Sequence, residues 1–166
     1  MSTEQDRSSL RLENQLCFPL YAASREIIKH YRPHLEALDL TYTQYITMMV
    51  LWAEKEISVK QLGQRLYLDS GTLTPLLKAL EQKGYVNRCR SKEDERVLLV
   101  RLTEQGRELE EKALGVPAAM QACVPLSPEE AGVLYKLLYK LLSPAEQSGE
   151  TAPIPKVQDI PAIEAD

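Results

Sequence analysis

The sequence predicts a mainly α-helical fold carrying one small two-stranded β-hairpin, and three observations lead there. Apolar residues recur at intervals of three and four through most of the chain, the spacing that lines one face of a helix. Thr41, Ser58, Thr103 and Ser127 each stand just before such a run, where a hydroxyl can cap the free N–H groups of a first turn. Between residues 85 and 102 the period drops from about 3.6 to about 2, as happens when helix gives way to strand.

The elements run in order along the chain. Leu20, Ala23, Ile27 and Tyr31 outline a first helix, with Leu35 and Leu38 beyond Pro33. Pro33 is expected to kink or restart that helix, because proline lacks a donor and crowds the preceding turn. Thr41 with Gln44 forms a capping box for a second helix, whose apolar face is Tyr45, Met48, Met49 and Trp52. "EKEI" reads as a polar break. Ser58 with Gln61 caps a short third helix that turns Val59, Leu62 and Leu66 inward. A tight connection, "YLDSG", leads to a fourth helix with Leu73, Leu76, Leu77 and Leu80 on one face and Gly84 as its stop. Pro75 places the start of that helix near Thr72, since proline is harmless only in a first turn. "YVNRCR" and "VLLVRL", joined by the polar "SKEDER", form the hairpin. Thr103 then caps a helix to about Gly115, with Leu102, Leu109 and Ala113 on one side, and Pro117 and Pro125 interrupt the stretch after it. Ser127, Pro128 and Glu130 open a final helix. Its Val133, Leu134, Leu137, Leu138, Leu141 and Leu142 make a face too wide for the surface of a monomer. Residues 1–11 read as a polar arm, and residues 144–166, with four prolines, as a flexible tail.

At 166 residues the chain is long enough for one domain with a real core, and its 44% hydrophobic and 27% charged content is ordinary for a globular protein. No run approaches the roughly 18 apolar residues that span a bilayer. "MSTEQDRSSLRLE" lacks the apolar centre of a signal peptide, so a cytoplasmic protein without membrane partners is expected. Three cysteines, Cys17, Cys89 and Cys123, make neither a disulfide framework nor a zinc site. His30 and His34 are four residues apart but lack a third ligand, so neither a metal nor another cofactor is assigned. The net charge of −4 conceals an asymmetry: residues 57–101 hold nine Lys/Arg against five Asp/Glu, while both flanks are acidic. A basic middle can bind phosphate while acidic flanks suppress nonspecific adhesion.

Two helices joined by a tight turn and followed by a basic hairpin form a winged helix-turn-helix over about residues 41–102, an arrangement that binds double-stranded DNA. The inward leucines of the fourth helix leave Thr72, Thr74, Pro75 and Lys78 outward, where hydroxyl and methyl groups can meet base edges and phosphates. Ser70 and Gly71, just before them, can offer backbone N–H groups to a phosphate. On the hairpin, Arg88, Arg90, Lys92 and Arg96 supply positive charge, an arginine at the tip suiting a narrow minor groove. Asp94 would hold Arg96 or brace the wing. Helices over 12–40 and 103–143 would then form a dimerisation region within one domain spanning 12–143.

"LYLDSGTLTPLLKALEQKGYVNRCRSKEDERVLLVRLTEQG" resembles the winged-helix core of MarR-type bacterial repressors. "LENQLCFPLYAASRE" narrows the resemblance to the organic-hydroperoxide-sensing, OhrR-like branch. It implies a bacterial homodimer that binds a pseudo-palindromic operator when reduced and leaves it on oxidation. Cys17 matches the sensing cysteine, and Tyr31 and Tyr42 match two tyrosines that hydrogen-bond its sulfur across the dimer interface. The chemistry is coherent. A thiol of ordinary pKa, about 8.5, reacts slowly with peroxide at neutral pH, and two phenolic donors aimed at the sulfur stabilise the thiolate. Pro19 suggests a helix starting near Phe18, which puts Cys17 at its positive end. Leu16, Phe18 and Trp52 would supply an apolar surround that favours organic hydroperoxides.

Taken by itself, Cys17 also fits a buried inert thiol. Tyr21 and Tyr45 read as core or interface residues and Cys89 as a structural cysteine. Cys123 lies where some members of this branch carry a resolving cysteine; a small thiol capping the oxidised sulfur is the other route. Two further readings stand beside the redox repressor: a MarR-type repressor released by a small aromatic ligand, and a one-cysteine thiol peroxidase.

Overall fold

A computed structural model of the chain describes residues 7–142. After a short 3-10 turn at Leu12–Asn14 the elements run α1 (Cys17–Glu36), α2 (Tyr42–Glu54), β1 (Glu56–Ser58), α3 (Val59–Leu66), α4 (Ser70–Gln82), β2 (Val86–Arg90), β3 (Leu98–Leu102), α5 (Glu104–Ala113), α6 (Gly115–Gln121) and α7 (Pro128–Leu142). The chain divides into two compact units, one up to Cys123 and one from Val124 onward. The expected polar arm falls partly, and the expected tail wholly, outside the described residues.

The expected mainly α fold with a β-wing is present. The capping boxes form as the sequence predicts. Thr41 Oγ1 accepts from Gln44 N–H at 3.3 Å while Gln44 Oε1 accepts from Thr41 N–H at 3.1 Å. Ser58 and Gln61 repeat the pattern at the head of α3, and Ser127 and Glu130 at α7. Gly84 has φ +77°, the left-handed position that stops α4 without a Cβ penalty.

Four expectations change. α1 is continuous through Pro33 for 20 residues, with Leu35 buried just after it, so the proline neither ends nor restarts the helix. α4 begins at Ser70, two residues before the predicted start, because Asp69 supplies the cap: its carboxylate accepts from Thr72 N–H at 2.8 Å. Pro75 then sits inside the helix and leaves the Gly71 carbonyl without an i+4 donor. Pro117 lies in the first turn of α6, where its missing N–H costs nothing, so the chain stays helical there. Finally, "EKEI" contributes a strand: β1 pairs antiparallel with β3 through Glu56↔Arg101, Ile57↔Val100 and Ser58↔Leu99. The sheet is therefore three-stranded, in the order β1-β3-β2, and β2 and β3 form the wing with Val86 opposite Leu102 and Arg90 opposite Leu98.

The core of the first unit joins α2, α3, α4 and the sheet through Met48, Leu51, Leu62, Leu73, Leu77, Leu80, Val86 and Val100, all buried. Met49, expected on the inward face of α2, is exposed; Thr47 and Leu51 take the buried arc instead. α1 leaves Phe18, Ile27 and Ile28 substantially exposed, and α7 exposes Val133, Leu134, Leu137, Leu141 and Leu142.

Two contacts set where the wing stands. Gly106 of α5 lies against the strand entrance: Trp52 Nε1–H donates to its carbonyl at 2.9 Å, and a Cβ there would stand 2.2 Å from the Tyr85 carbonyl oxygen. At the other face, Glu81 of α4 accepts from Arg88 of β2 three times, at 2.9 Å from the backbone N–H, 2.9 Å from Nε and 2.7 Å from Nη2.

A Gly106→Ala variant is expected to lose about 3 kcal/mol of stability, since backbone rather than a flexible side chain occupies the methyl's place; urea denaturation measures it. Arg88 holds the Glu81 carboxyl below the usual carboxylate range, first by its side-chain hydrogen bonds. Such a pair contributes fully above the unfolded-state pKa and is lost as pH falls through the lowered folded value. Glu81→Gln should therefore cost about 1 kcal/mol at pH 7, discounted for partial exposure. That gap should narrow only below about pH 4 in urea melts taken from pH 3 to 7; a pH-independent gap would contradict the assignment.

Candidate DNA-reading face and thiol site

The candidate reading face is built on the start of α4. Ser70, Gly71, Thr72, Thr74, Pro75 and Lys78 are all outside the core, because the leucines at 73, 76, 77 and 80 take the opposite arc. Their polar groups are partly committed. Thr74 Oγ1 donates to the Ser70 carbonyl at 2.7 Å, which fixes its rotamer and points the methyl away from its own helix backbone. The Asp69 carboxyl is held below the usual range, chiefly by the Thr72 N–H and further by the Thr72 hydroxyl and the Gly71 N–H. A protein carboxylate thus caps this helix terminus through Thr72 N–H, next to the Ser70 and Gly71 N–H groups expected to meet a phosphate. Asp69 was missed at the sequence level, although Asp-Ser-Gly before an apolar run is a recognisable cap signal.

On the wing the predicted cations separate into two kinds. Arg88 is bound by Glu81 and is only a quarter exposed, so its guanidinium braces β2 against α4. Arg90 Nη1 donates to the Glu95 carbonyl at 2.7 Å and closes the base of the tip. Lys92 and Arg96 stand free of the sheet: Lys92 is exposed, and the Arg96 side chain is 95% exposed, 3.6 Å from Asp94. Asp94 accepts from Arg96 N–H at 3.0 Å, the bracing role expected of it. Ser91, buried at the turn, donates to Glu93 at 2.6 Å and completes the tip. No spacing rule pairs Glu81 with Arg88 across a helix-to-strand junction, so that brace could not be read beforehand.

Cys17 is the first residue of α1 and is exposed. Leu16 provides no side-chain cap, so the positive end of the helix has no capping side chain on it, and Pro19 sits harmlessly in the first turn. Leu16 and Phe18 flank the thiol and are exposed, but Trp52 is not part of a surround: it is buried and committed to Gly106. Tyr31 and Tyr42 are close together within one chain, ring centroids 5.0 Å apart, and Tyr45 lies 5.9 Å from Tyr31. Burial pushes all three phenols above their usual range, and a phenol is a protonated hydrogen-bond donor at neutral pH even without such a shift. Tyr45 is core, as expected, stacked edge-on against Trp52 at 6.1 Å. Tyr21 is exposed on α1, accepting from Arg25 at 2.6 Å, which leaves the interface half of its expectation open. Among the described residues no hydrogen bond joins Cys17 to Tyr31 or Tyr42 within one chain.

Cys123 is exposed just after α6, its thiol donating to the Ala119 carbonyl at 3.5 Å. Cys89 is half-buried on β2 opposite Leu99. His30 and His34 share α1, and no metal-holding cluster of His, Cys, Asp and Glu occurs among the described residues. No described helix is long and apolar enough to cross a membrane. Between α1 and the head of α2 lies a groove of about 530 Å³ lined by Arg25, Ile28, Arg32, Leu35, Leu40 and Tyr42, among others.

Comparison with known proteins gives this geometry a context. The family described as transcriptional regulator SarA/Rot matches residues 29–113. The chain is 49% identical over 138 residues to the organic hydroperoxide resistance transcriptional regulator of Bacillus subtilis (strain 168), covering 83% of this chain and 94% of the relative. The structure of reduced AbfR bound to DNA matches with a TM-score of 0.68 at 36% identity, over 84% of this chain and 96% of the other. AbfR is a protein of Staphylococcus epidermidis that has also been solved in a disulfide form. A cysteine-to-serine mutant of MarR from E. coli, complexed with operator DNA, matches with a TM-score of 0.70 at 27% identity, over 77% of this chain and 94% of that one. These relatives are regulators rather than enzymes, which sets the peroxidase reading aside. With its recognition helix, wing and first-turn cysteine in place, the chain belongs to the MarR family of winged-helix transcriptional regulators, in the branch of the organic hydroperoxide resistance regulators.

Proposed function

We propose that the protein is a homodimeric repressor that holds its operator while Cys17 is reduced and leaves it when an organic hydroperoxide oxidises that thiol. In this reading residues 12–40 and 103–143 supply the dimerisation region and 41–102 the DNA-binding lobe. The observation that carries the proposal is the presence on one chain of an exposed first-turn cysteine and, apart from it, two adjacent phenols that have no hydrogen-bond partner among the described residues. Donors in that state are free to meet a sulfur brought by a second subunit. The likeness to the Bacillus regulator supports the peroxide signal, and that to AbfR, solved both reduced on DNA and in a disulfide form, supports a thiol switch.

The Cys17 thiolate attacks one peroxide oxygen; the S–O bond forms as O–O breaks, and the alkoxide leaves as the alcohol after taking a proton. Sulfur is oxidised by two electrons and the hydroperoxide reduced to alcohol. The sulfenic acid then condenses with a thiol, losing water and forming S–S. That thiol is Cys123 or a small thiol, and the exposure of Cys123 permits the first route. The oxidised sulfur no longer accepts both phenolic protons, and its added bulk at the interface shifts the spacing of the two recognition helices, to which half-site binding is sensitive. A bias of a few kcal/mol toward the non-binding state suffices for release.

A second reading has one observation in its favour: the groove beside Tyr42 has room for a small aromatic acid, with Arg25 and Arg32 on its rim. There release would need no oxidant.

Operator binding by Cys17→Ser should equal that of the reduced parent and persist after cumene hydroperoxide, which releases the parent. Equal release of both by peroxide would sink the redox reading, and release of both by an aromatic acid alone would favour the groove. Tyr31→Phe and Tyr42→Phe should each slow Cys17 oxidation by about tenfold, as one thiolate-stabilising hydrogen bond of about 1.4 kcal/mol is lost. Stopped-flow titration of thiol loss against peroxide reads that rate.

A further inference from the structure

A cleft of about 550 Å³ lies between α3 and α4, on the helix-turn-helix itself, and no residue of its α3 side belongs to the reading face described above. Leu68, Leu73 and Gly63 form its apolar floor, while Lys60, Gln64 and Tyr67 line it from α3 and the turn. Ser70, the first residue of the recognition helix, lines it too, so the cleft is continuous with the DNA-reading surface. Gly63 allows the two helices to close on this floor: a Cβ there would stand 2.7 Å from the Leu68 carbonyl oxygen and 3.0 Å from Leu73 Cδ1.

Tyr67 is the residue that asks for an explanation. It ends α3 in the left-handed region at φ +54°, a conformation costly for a side-chain-bearing residue, and it is nevertheless 61% exposed. A buried aromatic would repay such a turn by packing; this one does not. Among the described residues, Lys60, Gln64 and Tyr67 have no side-chain hydrogen bond or ion pair, whereas Arg65 on the other side of α3 is bound to Glu54 at 2.7 Å. The cleft therefore presents one free ammonium, one amide and one phenol around an apolar floor. That combination suits a phosphodiester with its deoxyribose: ammonium and phenol donate to phosphate oxygens, and the sugar's C–H face covers the leucines. It carries no guanidinium fork of the kind that reads guanine. In helix-turn-helix proteins the first helix crosses the sugar-phosphate backbone while the second enters the groove, and here α3 is that first helix.

We propose that this cleft seats one backbone phosphate of each operator half-site, held by Lys60 and the Tyr67 hydroxyl and flanked by Gln64. The contact sets the register of α4 without reading sequence. It rests on the DNA-binding reading, and the test separates the two. Fluorescence anisotropy with an operator duplex and a scrambled duplex, across a salt series, compares the parent with Lys60→Met, Lys60→Gln, Tyr67→Phe and Arg96→Ala. Both Lys60 variants are expected to weaken binding about tenfold, equally on the two duplexes, and to lower the slope of log affinity against log salt by about 1. Tyr67→Phe keeps the ring and its turn, so it should weaken binding about fivefold with the slope unchanged, as loss of one neutral donor requires. If Arg96→Ala weakens operator binding while the Lys60 and Tyr67 variants bind as the parent does, the cleft proposal is overturned and the DNA-binding reading stands. A parent that prefers neither duplex and keeps its affinity in all four variants overturns both.

Discussion

The position of the wing depends on a side chain that is absent. Gly106, in the first turn of α5, lets the helix backbone reach the Tyr85 carbonyl, and the Gly106 carbonyl in turn takes the indole proton of Trp52. Thr103, which caps the same helix, also donates to the carbonyls of Gly84 and Tyr85 at 2.7 and 3.0 Å. One short stretch therefore ties α2, the C-terminal stop of α4, the entrance to β2 and the start of α5. Because these ties are hydrogen bonds to buried or half-buried carbonyls, breaking one leaves an unsatisfied group, which costs more than the bond itself contributes. The hairpin consequently leaves the core at a defined angle rather than as a loose arm.

From that joint outward the charges divide by task. Glu81 and Arg88 lock the first wing strand to the recognition helix, and Arg101 with Glu56 links β3 to β1. Arg90 closes the tip through the Glu95 carbonyl. Only beyond these braces do Lys92 and Arg96 project into solvent, with Lys78 on the helix. A rigid frame built from half-exposed ion pairs spends part of the basic charge on shape. Of the projecting cations, Arg96 keeps one exposed ion pair, to Asp94 at 3.6 Å, so the formal count of positive residues overstates the charge left unpaired on this face.

The thiol end of the molecule obeys a different logic. Tyr31, Tyr42 and Tyr45 cluster where α1 meets the head of α2, and burial pushes their phenols further up from an already high pKa. Lys83 donates to the carbonyl of Asp39 and pairs with its carboxylate at 3.0 Å, so the turn after α1 is held against the end of the recognition helix. In the proposed switch, a change at the tyrosines thus has a short covalent and hydrogen-bonded route to α4. Phe18, Ile27 and Ile28 of α1 are exposed and apolar, as are Val133, Leu134, Leu137, Leu141 and Leu142 of α7, and in the proposed homodimer these are the residues a second subunit would cover.

Much of this was legible in the chain itself. Helix starts at Thr41, Ser58, Thr103 and Ser127, the stop at Gly84 and the hairpin from 86 to 102 are local events, decided by capping hydroxyls, a missing Cβ and a two-residue period. The outward threonines and Lys78 follow from the same periodicity, since four leucines on one arc leave the opposite arc to solvent. What tertiary structure decided is whatever needs two distant segments. Three residues are too few to announce β1, which exists because β3 offers an edge to pair with. Pro33 fails to break α1, and Pro75 sits within α4 rather than near its start, because packing at Leu35 and Leu73 and the Asp69 cap outweigh a lost backbone bond. The brace from Arg88 to Glu81 and the burial of Trp52 away from Cys17 are likewise choices of packing, since a side chain's partner is set by which surfaces meet in space and not by its neighbours in sequence.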